Sequence, residues 1–381
     1  MIKKYYLLSP GPTPVPEEVL REASRPIIHH RTDEFSKAFI EVTEGLKYMF
    51  STKQDVFILA STGTGAMEAA VNNILSCGDK VITVNGGKFG KRWSDICRAY
   101  GLRVREIVLE WGESFSTQRL AEELSAEPGV KAVFTTLSET STGTVYDVKG
   151  YGEIVSRSEA LLVVDGISGV GATPCPMDEW KIDVLIAASQ KSFMTPPGLS
   201  YISFSPKAWK AVEKSDLPRF YFDARLYKKN LEKETPPFTP ATSLLFQQKK
   251  ALEIIRSIGL ENLIEHHRLL AEATRVGVRT LGLELLSKSP GNILTAVKCP
   301  PGVDGFKLLD LMQKKFKVFV AGGQEDYRGK IIRIAHLGYM GGFDILTALS
   351  ALEMSLSLMG YSFQRGSSIE AAEKILEEKW K

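Results

Sequence analysis

From Asp55 to Ser205 the chain alternates short apolar runs with amphipathic stretches. The runs are DVFILA (55–60), KVITV (80–84), RVREIVL (103–109), VKAVFTTL (130–137), ALLVVD (160–165), DVLIAA (183–188) and LSYISFS (199–205). Strands covered on both faces read as near-continuous apolar runs. The runs therefore predict one large, mainly parallel sheet of seven strands with helices on either side. Between the first two runs, Met67, Ala70, Val71, Ile74 and Leu75 recur at helical spacing and predict one buried stripe on GAMEAAVNNIL.

Further along, RFYFDARLYKKNLEKETPPFTP (219–240) has mixed charge, three prolines and no period, and is expected to be a long irregular excursion. Helical patterns follow over Ser243–Ser257 and Leu260–Leu281. NILTAVK (292–298), KVFVAGG (317–323) and KIIRIAHLG (330–338) then interleave as strands with helical segments at 304–316 and 343–358. The last helix is expected to begin at Ser367, whose spacing to Glu370 fits a capping box. The fold class is thus α/β, with an N-terminal arm (1–20), a large domain (21–245) and a smaller α/β domain (246–381).

Composition narrows the class of function. With 44% hydrophobic and 24% charged residues, the chain is neither disordered, collagen-like nor coiled-coil. Its 48 basic and 45 acidic residues leave +3, with no basic cluster, so nucleic acid is not an expected partner. No uncharged apolar run reaches the roughly 18 residues of a membrane span. The opening MIKKYYLLSPGPTPVP has only YYLL where a secretory signal needs a longer stretch, and a cytoplasmic protein without membrane attachment is expected. Cys77, Cys97, Cys175 and Cys299 are isolated and read as free thiols. The pairs His29-His30 and His266-His267 lack metal-ligand spacing, and no metal is expected.

Three segments carry candidate chemistry. STGTGAMEAA (61–70) is a Gly-rich turn between strand and helix, a geometry that offers backbone N–H groups and the positive helix end to an anion. A plain helix cap at Thr62 or Thr64 is the structural alternative. LLVVDGISG (161–169) delivers Asp165 to the carboxyl end of a strand, where ligands of open α/β sheets bind; a loop-capping aspartate is the alternative. IDVLIAASQKSF (182–193) delivers Lys191 to another strand end, where desolvation lowers an amine's pKa and suits a Schiff-base lysine; snorkelling to the surface is the alternative. A phosphate cradle, a carboxylate and an amine together meet the three demands of pyridoxal 5'-phosphate.

With these residues in place, the chain resembles the class V, fold type I pyridoxal-phosphate aminotransferases of the alanine–glyoxylate and serine–pyruvate type. The resemblance runs through LLSPGPTPVPEEV, IIHHRTDEF, STGTGAMEA, NGGKFGKRW, SETSTG, LLVVDGISGVGATPCPMDEWKIDV, SQKSFMTPPGLSYISFS and RIAHLG. It implies that Lys191 is the Schiff-base lysine and Asp165 the partner of the pyridine nitrogen. Thr62, Gly63 and Thr64 match the phosphate cradle, with Gln190 beside it. Phe89 stands where the family places a ring-stacking aromatic, often Trp, and Ser141 matches the residue that bonds the ring-hydroxyl region. PPFTPATS (236–243) resembles the segment that reaches the neighbouring subunit's phosphate site; Thr239 is the candidate there, and Phe238 replaces the family's Tyr or His. Arg333, on an apolar strand, matches the holder of the substrate α-carboxylate, with an internal salt bridge as its structural alternative.

The resemblance implies ping-pong transamination in a homodimer, with alanine or serine as donor and glyoxylate or pyruvate as acceptor. A 2-aminoethylphosphonate transaminase or an aspartate-using aminotransferase would keep the same cofactor residues. A cysteine desulfurase is disfavoured because Gly322-Gly323-Gln324-Glu325 holds no cysteine, and a nicotinamide-dependent dehydrogenase because the dinucleotide fingerprint is missing.

Overall fold

The computed structural model describes residues 4–380, so Met1–Lys3 of the expected arm and Lys381 of the smaller domain lie outside it. The seven apolar runs form the strands of one sheet: β1 (Val56–Leu59), β2 (Lys80–Asn85), β3 (Arg103–Val108), β4 (Val130–Thr136), β5 (Leu161–Asp165), β6 (Val184–Ala188) and β7 (Ser200–Phe204). Their order across the sheet is β1-β7-β6-β5-β4-β2-β3. β7 runs antiparallel to β1 and β6, and every other pairing is parallel.

Every residue of β5, β6 and β7 is buried, which is why these runs lack alternation. Successive side chains leave a strand on opposite faces. Leu162, Val164, Leu185 and Ala187 accordingly join one core with helix α1 (Asp33–Phe50). Leu161, Val163, Val184 and Ile186 join a second core with helix α2 (Gly63–Ile74), through the predicted stripe of Met67, Ala70, Val71 and Ile74. Helix α3 (Lys88–Ala99) lies on the same side, with Trp93 against Phe134.

The predicted excursion over 219–240 is not wholly irregular. Asp223 caps a short helix, α4 (Ala224–Leu231), which inserts Ala224 and Tyr227 into the second core. Leu231 packs beside them at helical spacing, but three inward residues in two turns are too short a stripe to stand out in the sequence. Helix α5 (Thr242–Ile258) packs Leu245, Phe246, Leu252 and Ile255 into the first core, so the expected boundary after residue 245 falls inside one helix.

The third core belongs to the smaller domain. It joins helices α6 (Leu260–Thr280), α7 (Gly342–Leu358) and α8 (Ser367–Trp380) to an antiparallel sheet of β8 (Leu294–Lys298), β9 (Ala321–Gly322) and β10 (Ile331–Ala335), with β10 central. The run 317–323, expected to be one strand, divides at Val320: Val318–Phe319 pairs with Tyr6–Leu7 of the arm, and β9 pairs with β10. The expected helix at 304–316 begins as α-helix over Gly305–Asp310 and widens into a π turn at Leu311–Lys315. At α8 the Ser367–Glu370 capping box is replaced: the Glu370 amide donates to the Gly366 carbonyl and the Glu370 carboxylate accepts from Lys374. Glu353 of α7 supplies the cap instead, accepting from the amides of Gly366 at 2.7 Å and Ser368 at 3.0 Å. No helix among the described residues is long and apolar enough to cross a membrane.

Candidate active site

The loops that follow β1, β2, β4, β5 and β6 all leave the carboxyl end of the parallel sheet, the end at which open α/β sheets bind their ligands. Asp165 ends β5 and is buried. One of its oxygens accepts from the Ile167 amide at 2.8 Å, and no other described group bonds it. Burial pushes its carboxyl up to about 6, against the pull of that amide and of the Arg92 and Lys191 charges.

Lys191 stands three residues past the last residue of β6 and is also buried. Burial brings its amine down to about 8, with the Asp165 carboxylate opposing the shift and the Arg333 charge adding to it. Snorkelling is thus excluded. Lys191 Nζ donates to the Pro10 carbonyl of the arm. The arm is fastened at both ends of this contact: Leu8 bonds Phe319 and Ala335, and Thr13 bonds the carbonyls of Gln190 and Lys191. Gly11 has φ +128° and a Cβ there would run into the lysine side chain, so the close crossing requires glycine.

Thr62 caps α2 without its hydroxyl bonding a helix amide, and Gly63 begins the helix. The first N–H groups of any helix lack intrahelical acceptors, so Thr62, Gly63 and Thr64 leave donors open to an anion. A Cβ on Gly63 would strike the side chain of Ile167, which locks the cradle against the Asp165 loop. Gln190 is half-buried, and no described group bonds its side chain.

Phe89 is half-buried in the first turn of α3, with the Arg92 guanidinium 4.8 Å from its ring centre. Arg92 Nη1 also donates to Thr64 Oγ1 at 3.1 Å. Ser141 is fully buried, but its hydroxyl donates to Glu139 at 2.6 Å and accepts from the Lys88 amide at 3.1 Å. One lone pair is all that its hydroxyl keeps for a further donor.

Sequence reasoning missed Glu139. Its carboxylate is fully buried and accepts from the amides of Phe89 at 3.1 Å, Gly90 at 2.9 Å and Ser141 at 3.0 Å. It therefore neutralises the free start of α3 and fixes the backbone at Phe89. A carboxylate inside the otherwise uncharged run TTLSETSTGT was the available signal.

Arg333 lies mid-way along β10 and is 6% exposed. Its Nε donates to the Gly322 carbonyl at 2.9 Å and its Nη1 to the Thr140 carbonyl at 2.8 Å. No described carboxylate pairs with it, so the internal salt bridge is not present, and burial lowers its guanidinium to about 10. Thr239, in contrast, is exposed. Its neighbour Phe238 stacks on Tyr221 with centroids 5.0 Å apart, and the structure does not bring Thr239 into this chain's crevice.

The sequence model described as aminotransferase class-V matches residues 5–325, ending just short of Arg333. A Synechococcus protein described as soluble hydrogenase, small subunit, is 43% identical, over 99% of this chain and 99% of its own. The serine–glyoxylate aminotransferase of Methylorubrum extorquens is 35% identical over 98% of this chain and 96% of its own. Among solved structures, ureidoglycine–glyoxylate aminotransferase from Bacillus subtilis aligns with a TM-score of 0.94 at 27% identity, over 99% of each chain.

Proposed function

The chain belongs to the class-V aminotransferases, a pyridoxal-phosphate-dependent family, and from that premise we propose that it moves an amino group from a small amino acid to a small 2-oxo acid. The observation that carries the proposal is the trio of Asp165, Lys191 and Arg333, all buried, with no carboxylate paired to the arginine among the described residues.

The residues present fit the cofactor. The open amides of the α2 start, with Thr62 and Thr64, suit a phosphate. Asp165 has an oxygen that no described group bonds and suits a positively charged ring nitrogen. Lys191 supplies an amine within the same buried site. When bound, pyridoxal phosphate contributes a covalent attachment point and an electron sink for charge arising at the substrate α-carbon.

The chain's own residues account for the remaining work. With its pKa near 8, about one in ten Lys191 amines is neutral at pH 7, far more than for an exposed lysine. A neutral Lys191 can attach the cofactor, and once released it can take the α-proton and return it elsewhere. Asp165 holds the ring-nitrogen proton in place by Coulomb attraction. Arg333 orients the donor through its α-carboxylate, its fork already aimed by two carbonyls. The same residues serve both halves of a ping-pong cycle.

Alanine or serine is the proposed donor and glyoxylate or pyruvate the acceptor. The names of the Methylorubrum and Bacillus proteins, both glyoxylate enzymes, support the acceptor. The hydrogenase name of the Synechococcus relative is not carried over: the cysteines here are separate free thiols, and no group of metal-binding side chains occurs among the described residues. A homodimer is proposed, with Thr239 reaching the partner's phosphate cradle. Its support is the exposed apolar surface of Phe220 and Tyr221, whose ring centres lie 5.9 and 5.0 Å from that of Phe238. Free thiols fit a cytoplasmic setting.

The test is a panel of alanine, serine, aspartate and 2-aminoethylphosphonate against glyoxylate, pyruvate and 2-oxoglutarate. Alanine or serine with glyoxylate should give the highest kcat/KM, and a donor alone should release its oxo acid in a single turnover. A preference for the phosphonate or for aspartate, or no oxo acid without acceptor, would refute the corresponding part.

A further inference from the structure

Arg92 stands in the first turns of α3 and faces two cofactor elements at once. Its guanidinium carbon lies 4.8 Å from the centre of the Phe89 ring, within cation–π range. Its Nη1 donates to Thr64 Oγ1 at 3.1 Å, across from α3 to the opening turn of α2. Arg92 is half-buried, and no described carboxylate forms an ion pair with it. Its neighbours on the same helix differ: Lys91 pairs with Asp95, and Arg98 with Glu106. The Asp165 carboxylate feels its charge, so Arg92 adds positive potential inside the site while its hydrogen bond goes to Thr64 rather than to an acid.

We propose that Arg92 is a positioning residue for the phosphate end of the cofactor, acting through Thr64 and Phe89. The inference rests on the reading of the crevice as a pyridoxal-phosphate site. By donating to Thr64 Oγ1, Arg92 occupies a lone pair of that hydroxyl and leaves its proton directed to another acceptor, so Thr64 becomes a donor toward a phosphate oxygen. By covering one face of Phe89, Arg92 leaves the other for an aromatic ring. The cation therefore sets the spacing between the phosphate and ring sites and adds positive potential at the end where a dianion binds. Family resemblance in NGGKFGKRW marks Phe89; the role of Arg92 comes from these two contacts.

The test titrates cofactor-stripped protein with pyridoxal phosphate and, separately, with pyridoxal, which has the same ring and no phosphate. Arg92→Gln should weaken pyridoxal phosphate binding by roughly ten-fold or more while changing pyridoxal binding less than about three-fold. Arg92→Lys, which keeps the charge and loses the fork, should fall between Arg92→Gln and wild type. In Thr64→Val, adding Arg92→Gln should cost less than it does alone, because the shared contact is already gone. Equal weakening of both ligands, or unchanged phosphate-ligand affinity in Arg92→Gln or Arg92→Lys, would overturn the inference and leave the functional reading standing. Wild-type protein that binds neither ligand would overturn both. Should Arg92→Gln fail to fold, the Arg92→Lys ratio decides alone.

Discussion

In the large domain, Asp165 and Lys191 are set by the sheet: Asp165 ends and Lys191 follows a fully buried strand of a single apolar run, and burial is the largest cause moving both groups toward neutrality. In the smaller domain, Arg333 is set by assembly. Its side chain is held by a carbonyl from β9 and another from the loop after β4, which are 182 residues apart in the chain as Gly322 and Thr140. The proposed cofactor end is thus fixed by local strand geometry, and the proposed substrate end by contacts between the domains. On that reading the first arrangement tolerates little motion at the chemistry, whereas the second couples the hold on the substrate to how the domains meet.

The largest expected effect lies at the cofactor end. Asp165→Asn should retain cofactor but lose roughly 10²-fold or more in kcat, since an amide cannot oppose a ring-nitrogen charge. The same change carries a stability signature. The folded-state carboxyl titrates near 6, above its ordinary 3.8, so its stabilising contribution is complete below about pH 3.8 and lost as pH rises through 6. Cofactor-free Asp165→Asn should therefore melt about 2–4 °C higher than wild type at pH 7 and show little difference near pH 3.5. Lower melting at pH 7 together with near wild-type turnover would dissolve the contrast between the two ends.

Arg333→Lys tests the other end. A lysine cannot reproduce a fork aimed by two carbonyls, and KM for amino-acid donors should rise roughly ten-fold with the cofactor spectrum unchanged. If Arg333 served only to join β10 to the Thr140 loop, the melting temperature would fall while KM stayed put.

Glu139 lies between the two ends, because its neighbour Thr140 supplies the carbonyl that Arg333 uses. Glu139→Gln replaces one accepting oxygen with a donor facing the Ser141 and α3 amides, and should cost about 2 kcal/mol of stability. A modest rise in KM should accompany it, smaller than that of Arg333→Lys. Thermal melts and donor titrations of the two variants side by side would show whether that order holds.

The contrast also explains what the sequence made legible. Seven strands, Asp165 and Lys191 could be read because each is encoded within one uninterrupted run. Glu139 escaped because its role depends on amides 49 to 50 residues earlier in the chain, which no local pattern records. The cap on α8 escaped for the same reason: Glu353, on a different helix, displaced the local Ser367–Glu370 pairing. The break at Val320 arises because the arm claims Val318–Phe319, a pairing across more than 300 residues. Arg333 was legible as a buried cation in an apolar run, but the absence of an acidic partner could be seen only in the fold.

The central claim is that Lys191 is the amine to which the cofactor attaches, with Asp165 and Arg333 arranged around it. Borohydride reduction of the cofactor-loaded protein, followed by digestion and peptide mapping, tests it most directly. A single stable pyridoxyl adduct on Lys191, in the peptide containing SQKSF, is the expected result. An adduct on another lysine with Lys191 unmodified would contradict it.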